Sequence, residues 1–367
     1  MLLFATSRRG SRQRFSRHET AAMPGTLFAR GEEHVHFARP GVVADRSGGA
    51  WTPPRTVLCL SLLLAFFTSV TRAQKSPVFA HERDMYVPAW TAFPTWNGKL
   101  LLQLLDNKSS SPLIEAIERD GRREDIAFDV PGSSGVFIYA FGAGADGSIV
   151  VSGGALSSDS RGIHFITWVA ADRGRRALIR TEPFTARALA VAPDGTVWAV
   201  GRTFDFDKLT DIERNVLVRY DTSGRVLSQA VVKNAKSWAN KPGDAAEGSF
   251  LLASNDRVGW FTNGCQYIEF GLDGSEVGRY DGPDGMVWLQ NGGYALSPDD
   301  ELVVGRRVGA KSDLLVLDRA ARRWVIVGLA DQGAEPWTRV LGFDGNALVT
   351  AGPPGTLRRW VRTGASQ

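Results

Sequence analysis

Residues 189–201 read "LAVAPDGTVWAVG". A short apolar alternation runs into Pro193-Asp194-Gly195, and a second alternation runs out to Gly201. Period-two alternation turns one face of each segment toward a core, and Asp-Gly is a turn dipeptide. These thirteen residues predict a β-hairpin. Its relatives recur along the chain: "FPTWNGKLLLQLL" (93–105), "FGAGADGSIVVSG" (141–153), "FLLASNDRVGWFT" (250–262), "GYALSPDDELVVG" (293–305) and "VLGFDGNALVTAG" (340–352). Each copy sets Asn or Asp with Gly, or a polar substitute, between two apolar runs. The spacing predicts a two-residue turn at positive φ joining antiparallel strands.

The turns fall at Asn97, Asp146, Asp194, Asn255, Asp299 and Asp344, with gaps of 49, 48, 61, 44 and 45 residues. Each unit continues after a variable loop into a second strand–turn–strand, as in "VLVRYDTSGRVLSQAVV" (216–232) and "YIEFGLDGSEVGRY" (267–280). Four short strands repeated every forty to fifty residues predict a β-propeller. One blade cannot bury both of its faces, whereas blades stacked around an axis can. The expected fold is therefore all-β: a six-bladed propeller of four-stranded antiparallel blades over 77–363. Unit six stops after its third strand, "TLRRWVRT" (356–363). An N-terminal strand, "PVFAHERD" (77–84), is expected to complete and close the last blade. Helical periodicity is nearly absent; only 207–214 could form a helical turn.

The phrases "VAPDGTVWAVG" and "LSPDDELVVG" resemble the broad class of NHL-like, YVTN-like and two-component-regulator propeller repeats. The resemblance covers roughly residues 85–363 and implies fold rather than activity, because this fold hosts unrelated functions. Trp-Asp dipeptides at strand ends are missing, which argues against WD40 repeats. The double glycines Gly153-Gly154 and Gly292-Gly293 are isolated and set no kelch pattern.

The formal charge of +4 misleads. Residues 1–73 hold ten Arg, no Lys and four acidic residues, leaving 33 basic against 35 acidic residues beyond them. The main body thus has no electrostatic footprint for nucleic acid. The run "VLCLSLLLAFF" (57–67) is followed by "TSVTRAQ", with Thr71 and Ala73 at −3 and −1 of a cleavage point before Gln74. This pattern predicts a secretory signal peptide over 56–73, hence a secreted or periplasmic protein with no membrane span after cleavage. Residues 1–55 read as a disordered, Arg-rich upstream extension. Beyond the signal only Cys265 remains, so burial rather than disulfides must hold the fold. Cys265 reads as a small buried hydrophobe entering a strand.

Ligands of propellers meet the central funnel and the loops leading into the innermost strands. Trp90, Trp288 and Trp337 fall just before such strands, with Arg187 and Arg339 just inside. Tryptophan and arginine together suit a carbohydrate, an aromatic group or a protein segment. The stretch 202–215 reads as an insertion whose Asp205, Asp207 and Asp211 offer hard oxygen ligands of the kind calcium takes, although the spacing is not that of an EF-hand. No other cofactor is indicated. The stretch 233–248 reads as a second insertion, a lid or a flexible connection.

Catalytic constellations are thin. The mature chain has only His81 and His164, and His164 is expected to make an inter-blade hydrogen bond. There is no nucleophile elbow, P-loop or dinucleotide fingerprint. The leading expectation is a non-catalytic propeller that binds a protein partner, a glycan or another small ligand at its funnel. The alternative is a propeller lyase or hydrolase acting on a glycan or lactone, assisted by calcium.

Overall fold

The computed structural model describes residues 78–86, 94–104, 113–128, 130–157, 162–172, 176–205, 208, 210–238, 243–286, 293–308, 311–329, 339–353 and 355–363. The upstream extension and the signal segment lie outside these residues. Strands are the only regular elements among the described residues. Strand β1 (Val78–Tyr86) comes first. Blade one follows as β2 (Pro94–Trp96), β3 (Leu100–Leu104), β4 (Leu113–Ile117) and β5 (Arg123–Ala127). Blade two comprises β6 (Ser133–Ala143), β7 (Ile149–Ser157), β8 (Gly162–Val169) and β9 (Arg176–Arg180). Blade three comprises β10 (Phe184–Val191), β11 (Val197–Asp205), β12 (Thr210–Tyr220) and β13 (Val226–Val231). Blade four comprises β14 (Phe250–Ala253), β15 (Arg257–Phe261), β16 (Gln266–Gly271) and β17 (Glu276–Asp281). Blade five comprises β18 (Tyr294–Leu296), β19 (Leu302–Val308), β20 (Lys311–Asp318) and β21 (Arg323–Leu329). Blade six comprises β22 (Arg339–Asp344), β23 (Ala347–Ala351) and β24 (Thr356–Thr363).

Within every blade the strands pair antiparallel in chain order. Strand β1 lies outside β24, antiparallel to it, from Val78 opposite Thr363 to Tyr86 opposite Thr356. It also meets β21 in a short parallel pairing at Val78 and Phe79, which joins blades five and six into one eight-stranded sheet.

Six apolar cores lie between successive blades. Leu101, Ile114 and Ile126 of blade one pack with Ile149, Val151 and Val169 of blade two. Val150 and Ile166 of blade two meet Leu189, Ala199 and Val218 of blade three. Trp198 and Leu217 of blade three meet Trp260, Ile268 and Phe270 of blade four. Phe261 and Tyr267 pack on Leu302, Val304 and Leu317 of blade five. Val303 and Leu314 pack on Val340, Leu348 and Trp360 of blade six, with Phe79 of β1 among them. Finally Leu341, Val349 and Leu357 of blade six pack on Trp96, Leu100 and Leu102 of blade one, which closes the ring. The molecule is a six-bladed β-propeller. Each fully buried Val, Leu or Ile contributes roughly 1.5–3 kcal/mol, so the cores between blades hold the wheel without covalent staples. Buried Trp198, Trp260 and Trp360 satisfy their indole N–H groups by donating to Thr196, Ser249 and Thr350 hydroxyls at 3.0, 2.9 and 2.9 Å.

The two-residue turn that the sequence suggested is found at Asn255-Asp256 and Gly345-Asn346, whereas a different turn recurs elsewhere. In residues 144–148, 192–196, 221–225, 271–275 and 118–122 the first N–H donates to the fifth carbonyl, and the fourth N–H donates back to the first carbonyl. Only the fourth residue takes positive φ, and it is glycine in all five. The preceding Asp146, Asp194 and Asp273, and Asp221 at the first position of its turn, accept from the N–H and hydroxyl of Ser148, Thr196, Ser275 and Ser223, as in an Asx turn. Two further copies, 262–266 and 297–301, place Cys265 (φ 58°) and Asp300 (φ 66°) at that fourth position. Cys265 is buried there, immediately before β16, and burial pushes its thiol up to about 11.

The described residues of the first expected insertion are mostly strand, and those of the second are irregular but partly pinned to the core. Residues 202–205 extend β11 and 210–215 extend β12, so no helical turn forms at 210–214. Upstream of Val216 the same strand runs on as a more exposed stretch, interrupted by two register shifts that leave Asn215 (φ 58°) and Ile212 unpaired. In the second insertion Ala245 and Ala246 are fully buried. The Asn263 side chain donates to Asp244 and Glu247 carbonyls at 2.8 and 2.9 Å, and Asn215 bridges Gly243 and Ala245.

Candidate functional site: the axial cavity and its arginine–tyrosine rim

The six innermost strands, β2, β6, β10, β14, β18 and β22, surround a cavity of about 440 Å³ on the axis. That size matches a small-molecule site. Its wall is built mainly of short apolar residues, among them Ala140, Gly142, Ala188, Ala190 and Ala295. Small side chains on inner strands are what leaves the space open. Four long polar residues line the same cavity: Tyr139, Arg187, Tyr294 and Arg339. No aspartate, glutamate or histidine is among the described lining residues.

Backbone irregularities account for two of these, Tyr139 and Arg187, and a close backbone approach leaves room for Arg339. Strands β6 and β10 carry equivalent β-bulges, where Ile138 and Ala140 pair with Gly153 and Ser152, and Ala186 and Ala188 pair with Gly201 and Val200. Tyr139 and Arg187 are the extra residues. A bulge re-aims the unpaired side chain, and here the Arg187 guanidinium carbon stands 4.5 Å from the Tyr139 ring centroid. Gly154 makes room for that tyrosine: a Cβ there would lie 2.3 Å from its hydroxyl oxygen. Gly293 (φ 68°) does the same on the far side. It forms a parallel bridge to Val340, and a Cβ on it would fall 2.0 Å from the Val340 carbonyl and 2.9 Å from the Arg339 stem. Blades three and six stand opposite in a six-membered ring, as do two and five. Arg187 and Arg339, and likewise Tyr139 and Tyr294, therefore come from opposite sides of the funnel.

The electrostatics are one-sided. The Nε of Arg187 is buried and meets no acceptor, and Trp96 Nε1, on the same wall, is also a buried donor without one. Burial lowers the affinity of the Arg339 guanidinium for its proton, and Tyr294 opposes that shift. Burial likewise raises the Tyr294 hydroxyl well above its ordinary value, with Arg339 pulling it back. Arginine stays charged through such shifts, so the funnel wall carries positive charge, and no carboxylate is among its described lining residues.

His164 lies beside this rim. Its Nδ1 is 3.2 Å from the Thr185 hydroxyl across the blade two–three interface, and its ring centroid is 6.0 Å from that of Tyr139. Burial lowers its pKa; Arg187 and Arg202 push the same way and Glu182 opposes them. A neutral imidazole held by a buried threonine is a structural hydrogen bond.

Of the residues singled out from sequence, Arg187 and Arg339 reach the cavity, whereas Trp90, Trp288 and Trp337 lie outside the described residues. Asp205 pairs with Lys208 at 2.8 Å, and Asp211 pairs with Arg202 and Arg214 at 3.2 and 2.8 Å. Asp207 lies outside the described residues. Among the described residues no group of three or more His, Cys, Asp or Glu side chains is set to hold a metal ion. Sequence reasoning missed Tyr139 and Tyr294. For Tyr139 a signal lay in the isolated Gly153-Gly154 pair, since Gly154 is the position that its ring crowds.

Two wider depressions lie on the outer rim. One, of about 700 Å³, separates β13 from β17; the other, of about 660 Å³, lies between blades four and five. Their arginines are already engaged: Arg279 by Glu276 and the Asn234 carbonyl, and Arg306 by Asp313 and the Asp284 carbonyl.

No family model matches the chain, and no curated protein matches it by sequence. Solved structures do resemble it. Virginiamycin B lyase from Staphylococcus aureus is 12% identical, with a TM-score of 0.41 over 79% of this chain and 96% of that one. YCF48 bound to D1 peptide is 12% identical, with a TM-score of 0.41 over 80% and 99%. A protein of unknown function from Bacteroides caccae is 13% identical, with a TM-score of 0.40 over 66% and 80%.

Proposed function

We propose that this propeller is a secreted or periplasmic binding module that takes a protein segment or small ligand into its axial funnel and does not transform it. The observation that carries the reading is the axial cavity itself: about 440 Å³, lined from all six blades, apolar along its wall and polar at a few defined points. Preformed pockets of this make-up hold guests by burial and orient them by sparse hydrogen bonds. The described lining offers no carboxylate or imidazole as general acid or base, which supports binding over catalysis. The leader "VLCLSLLLAFF…TRAQ" supports export.

A thermal-shift screen tests this reading. The chain from Gln74 onward is melted with small acids, amines, amides, glycans, peptides, Ca²⁺ and EDTA, in parallel with Ala140→Phe, which fills part of the funnel. A guest raises the midpoint by mass action. The expected result is a rise with at least one guest that Ala140→Phe abolishes while keeping a cooperative melt. A screen without any rise, or a rise undiminished in Ala140→Phe, contradicts it.

A further inference from the structure

We infer that the funnel's guest is an organic anion: a free carboxylate on an aromatic or aliphatic body, held by Arg187 and Arg339. This rests on the funnel reading above and names the chemistry of its ligand. Three observations converge. First, Arg187 and Arg339 line the cavity from opposite blades, and no acidic side chain is among its described lining residues. Second, the lining side-chain atoms that are buried without a partner, Arg187 Nε and Trp96 Nε1, are both donors, so the site lacks acceptors rather than donors. A buried donor left unpaired is costly, and a carboxylate accepts from up to four directions. Third, the Arg187 guanidinium is stacked on Tyr139. Stacking fixes the plane of the fork and leaves its edge free for planar, bidentate recognition. Most of the remaining described wall is apolar, from alanine and glycine to valine, leucine and phenylalanine, with Thr95, Asn97, Ser249, Ser254 and Asn255 as uncharged polar points, which suits an apolar body that carries one charged group. A small carboxylic acid and the C-terminus of a peptide share this chemistry.

The test is calorimetric titration of the chain from Gln74 onward with 3-phenylpropanoate, its primary amide and 3-phenylpropan-1-amine, and with N-acetyl-Ala-Phe bearing a free or an amidated C-terminus. The expected result is binding of at least one acid, at least tenfold weaker binding of its amide, and none of the amine. Raising salt weakens the acid and spares the amide. Arg187→Met and Arg339→Met each weaken the acid at least tenfold without changing the amide, and Arg187→Lys falls between. Preference for phenylpropanoate identifies a small-molecule ligand, and preference for the free peptide end identifies a chain terminus. An amide that binds as tightly as its acid, an acid indifferent to Arg187→Met, or acids that fail where neutral guests bind overturn the inference while the funnel reading stands. Silence from every compound, here and in the screen above, overturns both.

Discussion

The Arg187 guanidinium carbon stands 4.5 Å from the centre of the Tyr139 ring, and the two residues are the unpaired members of matching bulges on neighbouring blades. Neither would face the axis from a regular ladder, since alternation sends successive side chains to opposite faces. The bulges thus convert two blade-interface positions into funnel positions. Gly154 is the third party, because only a residue without Cβ lets the tyrosine hydroxyl lie so close.

Gly154→Ala is therefore expected to displace Tyr139 and to cost about 1–3 kcal/mol, the usual range for overpacking a filled site. In a Tyr139→Phe background the same change should cost less, because the nearest clashing atom is gone. Urea unfolding of the four proteins gives the coupling; strict additivity would show that the glycine does not seat the tyrosine.

Glu269 is 1% exposed and holds Arg257 of its own blade and Arg319 of blade five at 3.3 and 2.6 Å. Arg257 also meets Asp300 at 2.8 Å, so Glu269→Gln strands chiefly Arg319, and a loss of about 3 kcal/mol is expected. Replacing Glu269 and Arg319 together by Met should recover part of it. Chemical denaturation decides, and a loss under about 1 kcal/mol for the single change refutes this view of the interface.

His164 has a lowered pKa in the folded chain, from burial first and from Arg187 and Arg202 next. The unfolded chain therefore binds the proton at higher pH than the folded one. Stability is full above the ordinary value of 6.5, falls as pH drops below it, and levels off beneath the folded pKa. His164→Gln should flatten that slope of the stability curve. An unchanged slope places the titration elsewhere.

Asp221 is held down to about 2, chiefly by the Ser223 hydroxyl, with backbone N–H groups helping. A depressed carboxylate stabilises above its unfolded value and loses that contribution as pH falls through its folded value. Ser223→Ala should move the Asp221 carboxyl titration upward in NMR; no movement would remove the hydroxyl as the cause.

Phe79 sits fully buried on β1 among Val327 of blade five and Leu348 and Trp360 of blade six. Truncation to Ala is expected to cost about 3–5 kcal/mol. A much smaller loss in thermal unfolding would mean that β1 contributes little to the ring.

The blade count and the inner hairpins were legible in the sequence because Asp146-Gly147, Asp194-Gly195 and their relatives report a local demand. One residue in each turn must take positive φ, and a carboxylate caps the next two donors. Arg187 and Arg339 were legible because each lies on an inner strand, a few residues before such a turn. Tyr139 and Tyr294 were not. Tyr139 reaches the funnel through a bulge and the room left by Gly154, and neither shows in a period-two pattern, while Tyr294 sits in a regular pairing that the sequence did not single out. The Asp205–Asp211 stretch misled for the opposite reason. Its acids look clustered in sequence, yet the described ones lie on an extended hairpin and each meets a cation from Lys208, Arg202 or Arg214.

The most direct measurement is a methyl NMR titration of alanine-labelled protein with 3-phenylpropanoate. Ala140, Ala188, Ala190 and Ala295 line the axial cavity, while Ala230 lines the outer groove between blades three and four. Saturable shifts of the four axial methyls, with Ala230 unmoved and with no response in Arg187→Met, are the expected result. Shifts centred on Ala230, or none at any of the five, would contradict the account.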